Sequence, residues 1–367
     1  MERAAAKALL DDLQGKTDQA LRENANINEP YGLVDFPNHG NIGDSAIWLG
    51  ETTMLQAIYG QAPSYVSTAA QGVAEIGRFL KSGTLFLHGG GNFGDLWPLH
   101  HLYREHILEA YPHLQIIQLP QSIHFSDPSA IDSTQRAIGR HQNFLLMVRD
   151  TASLGFARQH FDCPVQLVPD CALGIDMSHF PKAGSGFGIR CLFRTDKEMR
   201  EDAVSAAKLF KDVPVEDWIG LNTAPPKFQN QIWRVWRHTE RLPSKNYWMH
   251  KRISRMNQLA EKRVGQGFSQ LAQAKVIVTD RLHGHIMSSL LKRPHVVIDN
   301  FYGKIGSYID TWSAVPDCRV ARDYNSARKE AETLLLAGNP VNRASRSGPG
   351  GAPPRQPALA LLVNTRS

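Results

Sequence analysis

Short apolar runs alternate with longer amphipathic stretches along most of the chain. The runs YGLVDF (31–36), TLFLH (84–88), QIIQLP (115–120), FLLMVR (144–149) and VQLVP (165–169) are nearly continuous in apolar residues, the pattern of strands buried on both faces. The stretches 44–60 and 98–111 lie between them and read as helices. Strands that alternate with helices predict a parallel sheet covered on both sides. The pattern then restarts. Residues 186–193 predict a strand, 196–210 a helix, about 253–274 a long helix, 275–280 a strand, 285–292 a helix and 294–299 a strand. The first residues, MERAAAKALLDDLQGK, predict a surface helix. Gly and Pro in DMSHFPKAGSG (176–186) mark a boundary. The expectation is an α/β protein of two similar halves, 1–180 and 181–337, facing a cleft. A tail over 338–367, rich in Gly, Pro, Ser and Arg, is expected to be disordered.

Composition adds constraints. Of the 367 residues, 42% are hydrophobic and 21% charged, ordinary for a globular protein. No apolar run approaches the ~18–20 residues of a bilayer span, and the N-terminus carries acids where a secretory signal would be apolar. Cys163, Cys171, Cys191 and Cys318 show no C-x-x-C spacing, which argues against a zinc site and for free thiols in a reducing, cytoplasmic setting. A formal net charge of +6 favours an anionic partner without choosing among phosphate-bearing substrates, acidic glycans, membranes and nucleic acid.

Three motifs stand at strand ends, where open α/β sheets bind ligands. FPNHGNIGD (36–44) and FLHGGGNFGD (86–95) both finish in Asn-x-Gly-Asp. Their glycines allow close backbone approach to a ligand, and free N–H groups bind anions. Neither is a dinucleotide fingerprint or a P-loop, and the plain alternative is two tight turns with Asp44 capping a helix. The third motif, TDRLHGHIMSSLLKRP (279–294), puts Arg281, His283 and His285 within five residues at a helix start. That is an anion site with a proton-transfer group beside it; the alternative is a capped helix with surface histidines, and no carboxylate set supports a metal. Arg149 in VRD, Asp170 in VPDCAL and Lys304 in DNFYGK also follow strands, each as readily structural as functional. Finally, 232–255 interleaves Trp233, Trp236, Tyr247 and Trp248 with Lys and Arg. It reads as a membrane-facing, sugar-stacking or nucleic-acid-binding surface, or as a packed connection between the halves.

In order and spacing, GNIGDSAIW, HGGGNFGDLW, VRD, VPD, TDRLHGHI and the Lys of DNFYGK resemble the polysaccharide pyruvyl transferases, over about residues 30–315 and most closely the bacterial exopolysaccharide members. The resemblance implies two Rossmann-like domains similar to the B-type glycosyltransferase fold. It also implies phosphoenolpyruvate as donor, a saccharide acceptor that is free or lipid-linked, and a pyruvyl ketal as product. It implies no cofactor, no metal and no nucleic acid, and a place at the inner face of the cytoplasmic membrane with 232–255 as the peripheral contact. The donor would lie on Arg281, Arg149 and Lys304, with His283 or His285 as acid. The acceptor would lie on Asn41, Gly43, Gly89, Gly90, Gly91 and Asn92, with Asp44 or Asp95 as base. The rivals are a nucleotide-sugar glycosyltransferase and a non-catalytic nucleic-acid-binding protein.

Overall fold

The computed structural model describes residues 2–182, 184, 186–196, 198–200, 202–218, 245–299 and 303–337. The tail expected over 338–367 and residues 232–244 of the basic-aromatic stretch lie outside them.

Two parallel sheets form the frame. The first contains β1 (Tyr31–Val34), β2 (Tyr65–Val66), β3 (Thr84–Leu87), β4 (Gly90–Phe93), β5 (Gln115–Ile123), β6 (Phe144–Val148) and β7 (Val165–Leu167). Their order is β2-β1-β3-β5-β6-β7, and β4 pairs with the far end of β5. Helices α1 (Glu2–Asn24), α2 (Ile42–Tyr59), α3 (Ile76–Phe79), α4 (Pro98–Ala110), α5 (Pro128–Gly139) and α6 (Thr151–His160) accompany it. The second sheet holds β8 (Phe187–Leu192), β9 (Val215–Glu216), β10 (Ala274–Thr279), β11 (His295–Ile298) and β12 (Cys318–Ala321), in the order β12-β11-β10-β8-β9. Its helices are α7 (Ala203–Leu209), α8 (Lys245–Ala272), α9 (Leu282–Leu290), α10 (Lys304–Trp312) and α11 (Tyr324–Ala337).

The strand orders locate the ligand crevice. In the first sheet the chain runs outward from β1 to β2 and then returns to the other side with β3. In the second it runs from β8 to β9 and returns with β10. Each reversal opens a crevice at the carboxyl ends of the flanking strands. The Asn-x-Gly-Asp motifs leave β1 and β3, and the Arg-Leu-His motif leaves β10.

Packing explains several departures from the sequence pattern. α1 is more than a surface helix: Leu10 and Leu13 enter the core shared with the second sheet, and Leu21 enters that of the first. α7 covers only the end of the helix expected over 196–210. Before it, the Asp196 carboxylate accepts the Glu198 N–H (3.1 Å) and the Arg194 guanidinium (2.9 Å), a local pairing that competes with helix formation. α8 begins earlier than expected and joins the two halves. Met249, Ile253, Met256 and Ala260 belong to the first sheet's core, whereas Val264, Phe268 and Leu271 pack with Leu192 and Ile277 of the second.

One residue of the basic-aromatic stretch 232–255, Arg252, is withdrawn from its surface. Arg252 is buried and grips Glu75 through both terminal nitrogens, at 2.7 and 3.2 Å. It is therefore a packed connection, while Tyr247 stays exposed with the Lys251 ammonium 5.4 Å from its ring centre. Arg252→Ala should take the counter-charge from the buried Glu75 carboxylate, to which the Tyr65 hydroxyl still donates at 2.8 Å, and cost ~3–5 kcal/mol. Thermal denaturation should show a marked fall in melting temperature; a surface role would leave it unchanged. Among the described residues, no helix is long and apolar enough to cross a membrane.

Candidate active site

The two crevices merge into one cleft of about 330 Å³, lined from both halves. His39, Asn41, Asp44, Gly91, Asn92, Trp97, His100 and Arg149 come from the first, and Arg194, Asp196, Glu198, Trp218, Arg281, His283 and Lys304 from the second.

The start of α2 is built by its own motif. Asn41 caps the helix, its Oδ1 accepting the Gly43 N–H at 3.0 Å, and its Nδ2 donates to Asp44 Oδ2 at 2.8 Å. Burial favours a neutral Asp44, but His39, His283, His88 and Lys304 outweigh it and hold the carboxyl below its ordinary range. Gly43 does not face the cleft. A Cβ there would lie 2.5 Å from His283 Nδ1, so its missing side chain lets the first turn of α2 press against that imidazole. The motif expected to hold the acceptor thus also seats a residue of the opposite half.

The triple-glycine loop divides its labour. Gly89 donates its N–H to buried Glu51 (2.7 Å), which also pairs with His88 Nδ1 (2.7 Å). Gly90 adopts φ 122°. Of the three glycines only Gly91 lines the cleft, and there a Cβ would stand 2.0 Å from Lys304 Nζ and 3.1 Å from Arg149 Nη2. Asn92 lines the cleft with its Oδ1 fixed by Arg104 (3.0 Å) and Gln121 (2.8 Å). Asp95, expected as a possible base, instead accepts the Ser126 and Asp127 N–H groups at 2.9 and 2.6 Å, tying down the loop before α5. It is not among the cleft residues, so the two similar motif endings have different uses.

On the other side, α9 starts three residues before the expected helix, which puts His283 in its first turn. Its Nε2 is 3.4 Å from Asp170 Oδ2 and makes no hydrogen bond among the described residues. Arg281 lines the cleft, but its fork is taken by Asp217 (2.6 and 2.9 Å) and touches Asp196 (3.2 Å). Lys304 opens α10 with Nζ 3.5 Å from Glu198. Arg149, fully buried, gives Nη1 to Asp170 (2.5 Å) and Nε to Ser122 (2.9 Å); its Nη2 has no hydrogen-bond partner among the described residues.

His285 is removed from the acid role. Two residues beyond His283, it points to the opposite side of α9, where its Nδ1 lies 2.8 Å from His295 Nε2 and 3.7 Å from Cys318 Sγ. Burial, reinforced by His295, pushes it well below the usual histidine range, and burial pushes His295 down to about 4 and the Cys318 thiol up to about 12. These three offer ligand atoms within 4.8 Å of one another. His295 Nδ1 also lies 2.8 Å from the Arg293 carbonyl. Two neutral rings in a hydrogen-bonded chain account for the arrangement as packing.

Several site residues escaped the sequence reading. His100, in the first turn of α4, sets Nδ1 2.8 Å from Asp35, a non-glycine residue held at φ 72° immediately after β1. The signal was present as a histidine directly downstream of the second Gly-Asp motif, but 98–111 read only as a helix. Arg194, Asp196, Glu198 and Trp218 follow β8 and β9, and no motif flags them.

The sequence matches the family described as polysaccharide pyruvyl transferase over residues 41–300. Pyruvyl transferase 1 of Schizosaccharomyces pombe is 31% identical over 304 residues, 76% of this chain and 69% of that protein. The EpsO protein of Bacillus subtilis is 29% identical over 306 residues, 81% of this chain and 89% of its own. A crystal structure of an uncharacterized Klebsiella pneumoniae protein superposes with a TM-score of 0.55 at 16% identity, covering 85% of this chain and 99% of that one. That likeness concerns the fold alone.

Proposed function

The chain belongs to the polysaccharide pyruvyl transferase family, and with it to the transferases; from that premise we propose that the cleft moves the pyruvyl group of phosphoenolpyruvate onto a pair of hydroxyls of one sugar, forming a ketal. The observation that carries this reading is the convergence on Gly91. The Lys304 ammonium and Arg149 Nη2, which has no hydrogen-bond partner among the described residues, crowd the space a side chain would fill, with His283 lining the same cleft. A small, multiply charged anion with a protonatable carbon suits that set.

The chemistry follows from the groups. His283 gives a proton to the donor's methylene carbon, and the positive charge that develops at the neighbouring carbon is trapped by the first sugar hydroxyl. Asp44, ionised and at the acceptor side, takes the hydroxyl proton. Phosphate then leaves against Arg149 and Lys304, and the second hydroxyl closes the ring. In the balance, the two hydroxyl protons are matched by one on the new methyl group and one on the released phosphate. Trp97 brings flat apolar surface to the cleft for a sugar ring. The volume, about 330 Å³, is at the small end of ligand pockets (~300–1,000 Å³); it suits a three-carbon phosphate with a sugar better than a nucleotide sugar with its acceptor.

The test offers the enzyme either phosphoenolpyruvate or nucleotide sugars, each with a panel of free and lipid-linked acceptors. Acceptor-dependent phosphate release from phosphoenolpyruvate is expected. Nucleotide release from a nucleotide sugar would sink the reading.

A further inference from the structure

His283 is the acid of this proposal, yet nothing in its own motif holds its proton. Arg281, two residues before it, is committed to Asp217 and Asp196. The nearest carboxylate comes from the other half. Asp170 lies three residues past the end of β7, buried behind Arg149 and His283. Its Oδ1 accepts the Ala172 N–H at 2.8 Å and so fixes the carboxylate plane. Its Oδ2 is then shared between Arg149 Nη1 at 2.5 Å and His283 Nε2 at 3.4 Å.

We propose that Asp170 is the positioning residue of the site: one carboxylate oxygen orients Arg149 toward the donor and stands as counter-charge beside the His283 ring. The inference rests on the reading of His283 as the acid. It joins the VPD motif to the Arg-Leu-His motif and assigns a role to a residue that touches neither donor nor acceptor.

Charge supports the geometry. Burial favours a neutral Asp170, but His283 first and Arg149 next outweigh it and hold the carboxyl far below its ordinary range. The other charged groups that line the cleft with His283 are Asp44, Asp196 and Glu198, and Arg149, Arg194, Arg281 and Lys304.

Asp170→Asn keeps the shape and the acceptor for Ala172 while removing the charge. The expected result is a kcat lower by ~10- to 100-fold, a smaller change in KM for phosphoenolpyruvate, and an alkaline limb of the kcat profile displaced to lower pH. Nitrogen NMR of the His283 ring should show the same displacement with no substrate present, so this arm stands even if phosphoenolpyruvate proves not to be the donor. An unchanged titration, with only a fall in melting temperature, would overturn the proposal and leave Asp170 a structural residue. Should the variant not fold, wild-type protein decides: the Asp170 carboxylate carbon signal should move as His283 titrates, and its failure to respond would equally overturn the proposal.

Discussion

His283→Gln should lower turnover by roughly 10²–10⁴ while donor affinity changes far less. Glutamine keeps a polar group of similar reach and cannot deliver a proton near neutral pH. The fold should survive, because the ring lies at the cleft wall, pressed between Gly43 and Asp170, and supports no apolar core. Stopped-flow binding and steady-state rates on the same preparation separate the two effects. A collapse of donor affinity with intact turnover at saturation would make His283 a binding residue. His285 offers no substitute, since it is sealed against His295 and Cys318 on the far side of the helix.

Gly91→Ala should act in the opposite sense. The new Cβ would fall 2.0 Å from Lys304 Nζ, which must move, and 3.1 Å from Arg149 Nη2. The ammonium is the far end of a flexible side chain and the φ of Gly91 is not positive, so folding tolerates the change. The cradle does not. Displacing one charge-assisted contact, worth ~1.5–3 kcal/mol, corresponds to a donor KM about 10- to 100-fold higher. Retained acceptor affinity, measured by calorimetry with the sugar, should accompany it. Wild-type donor KM in a folded Gly91→Ala protein would contradict the placement of the anion at this loop.

These two residues show what the sequence could and could not convey. Both lie in motifs that stood out by composition, because parallel-sheet strands are apolar throughout and the chemistry follows at their carboxyl ends. The near-continuous apolar runs therefore placed the main strands, and with them the Gly-Asp and Arg-Leu-His loops. Direction was not legible. Helical position alone separates His283 from His285, and the helix start was not evident because Arg281 caps it without a side-chain hydrogen bond. Asp44 and Asp95 end the same short pattern, yet one meets the cleft and the other meets backbone N–H groups from residues 126 and 127. Partners so distant in sequence leave no local signature. Arg252 was similarly opaque: a basic residue among aromatics looks like surface until Glu75, 177 positions away, is brought to it.

The central claim is that a proton is delivered to the donor's methylene carbon and that both hydroxyls of one sugar add to its neighbour. The direct measurement is NMR of the product formed in D₂O from carbon-labelled phosphoenolpyruvate and a saccharide acceptor. The account predicts a quaternary ketal carbon bearing a methyl group with one deuterium, with one phosphate released per ketal. An enol ether that keeps its methylene carbon, or phosphate release without any labelled carbon on the sugar, would contradict it.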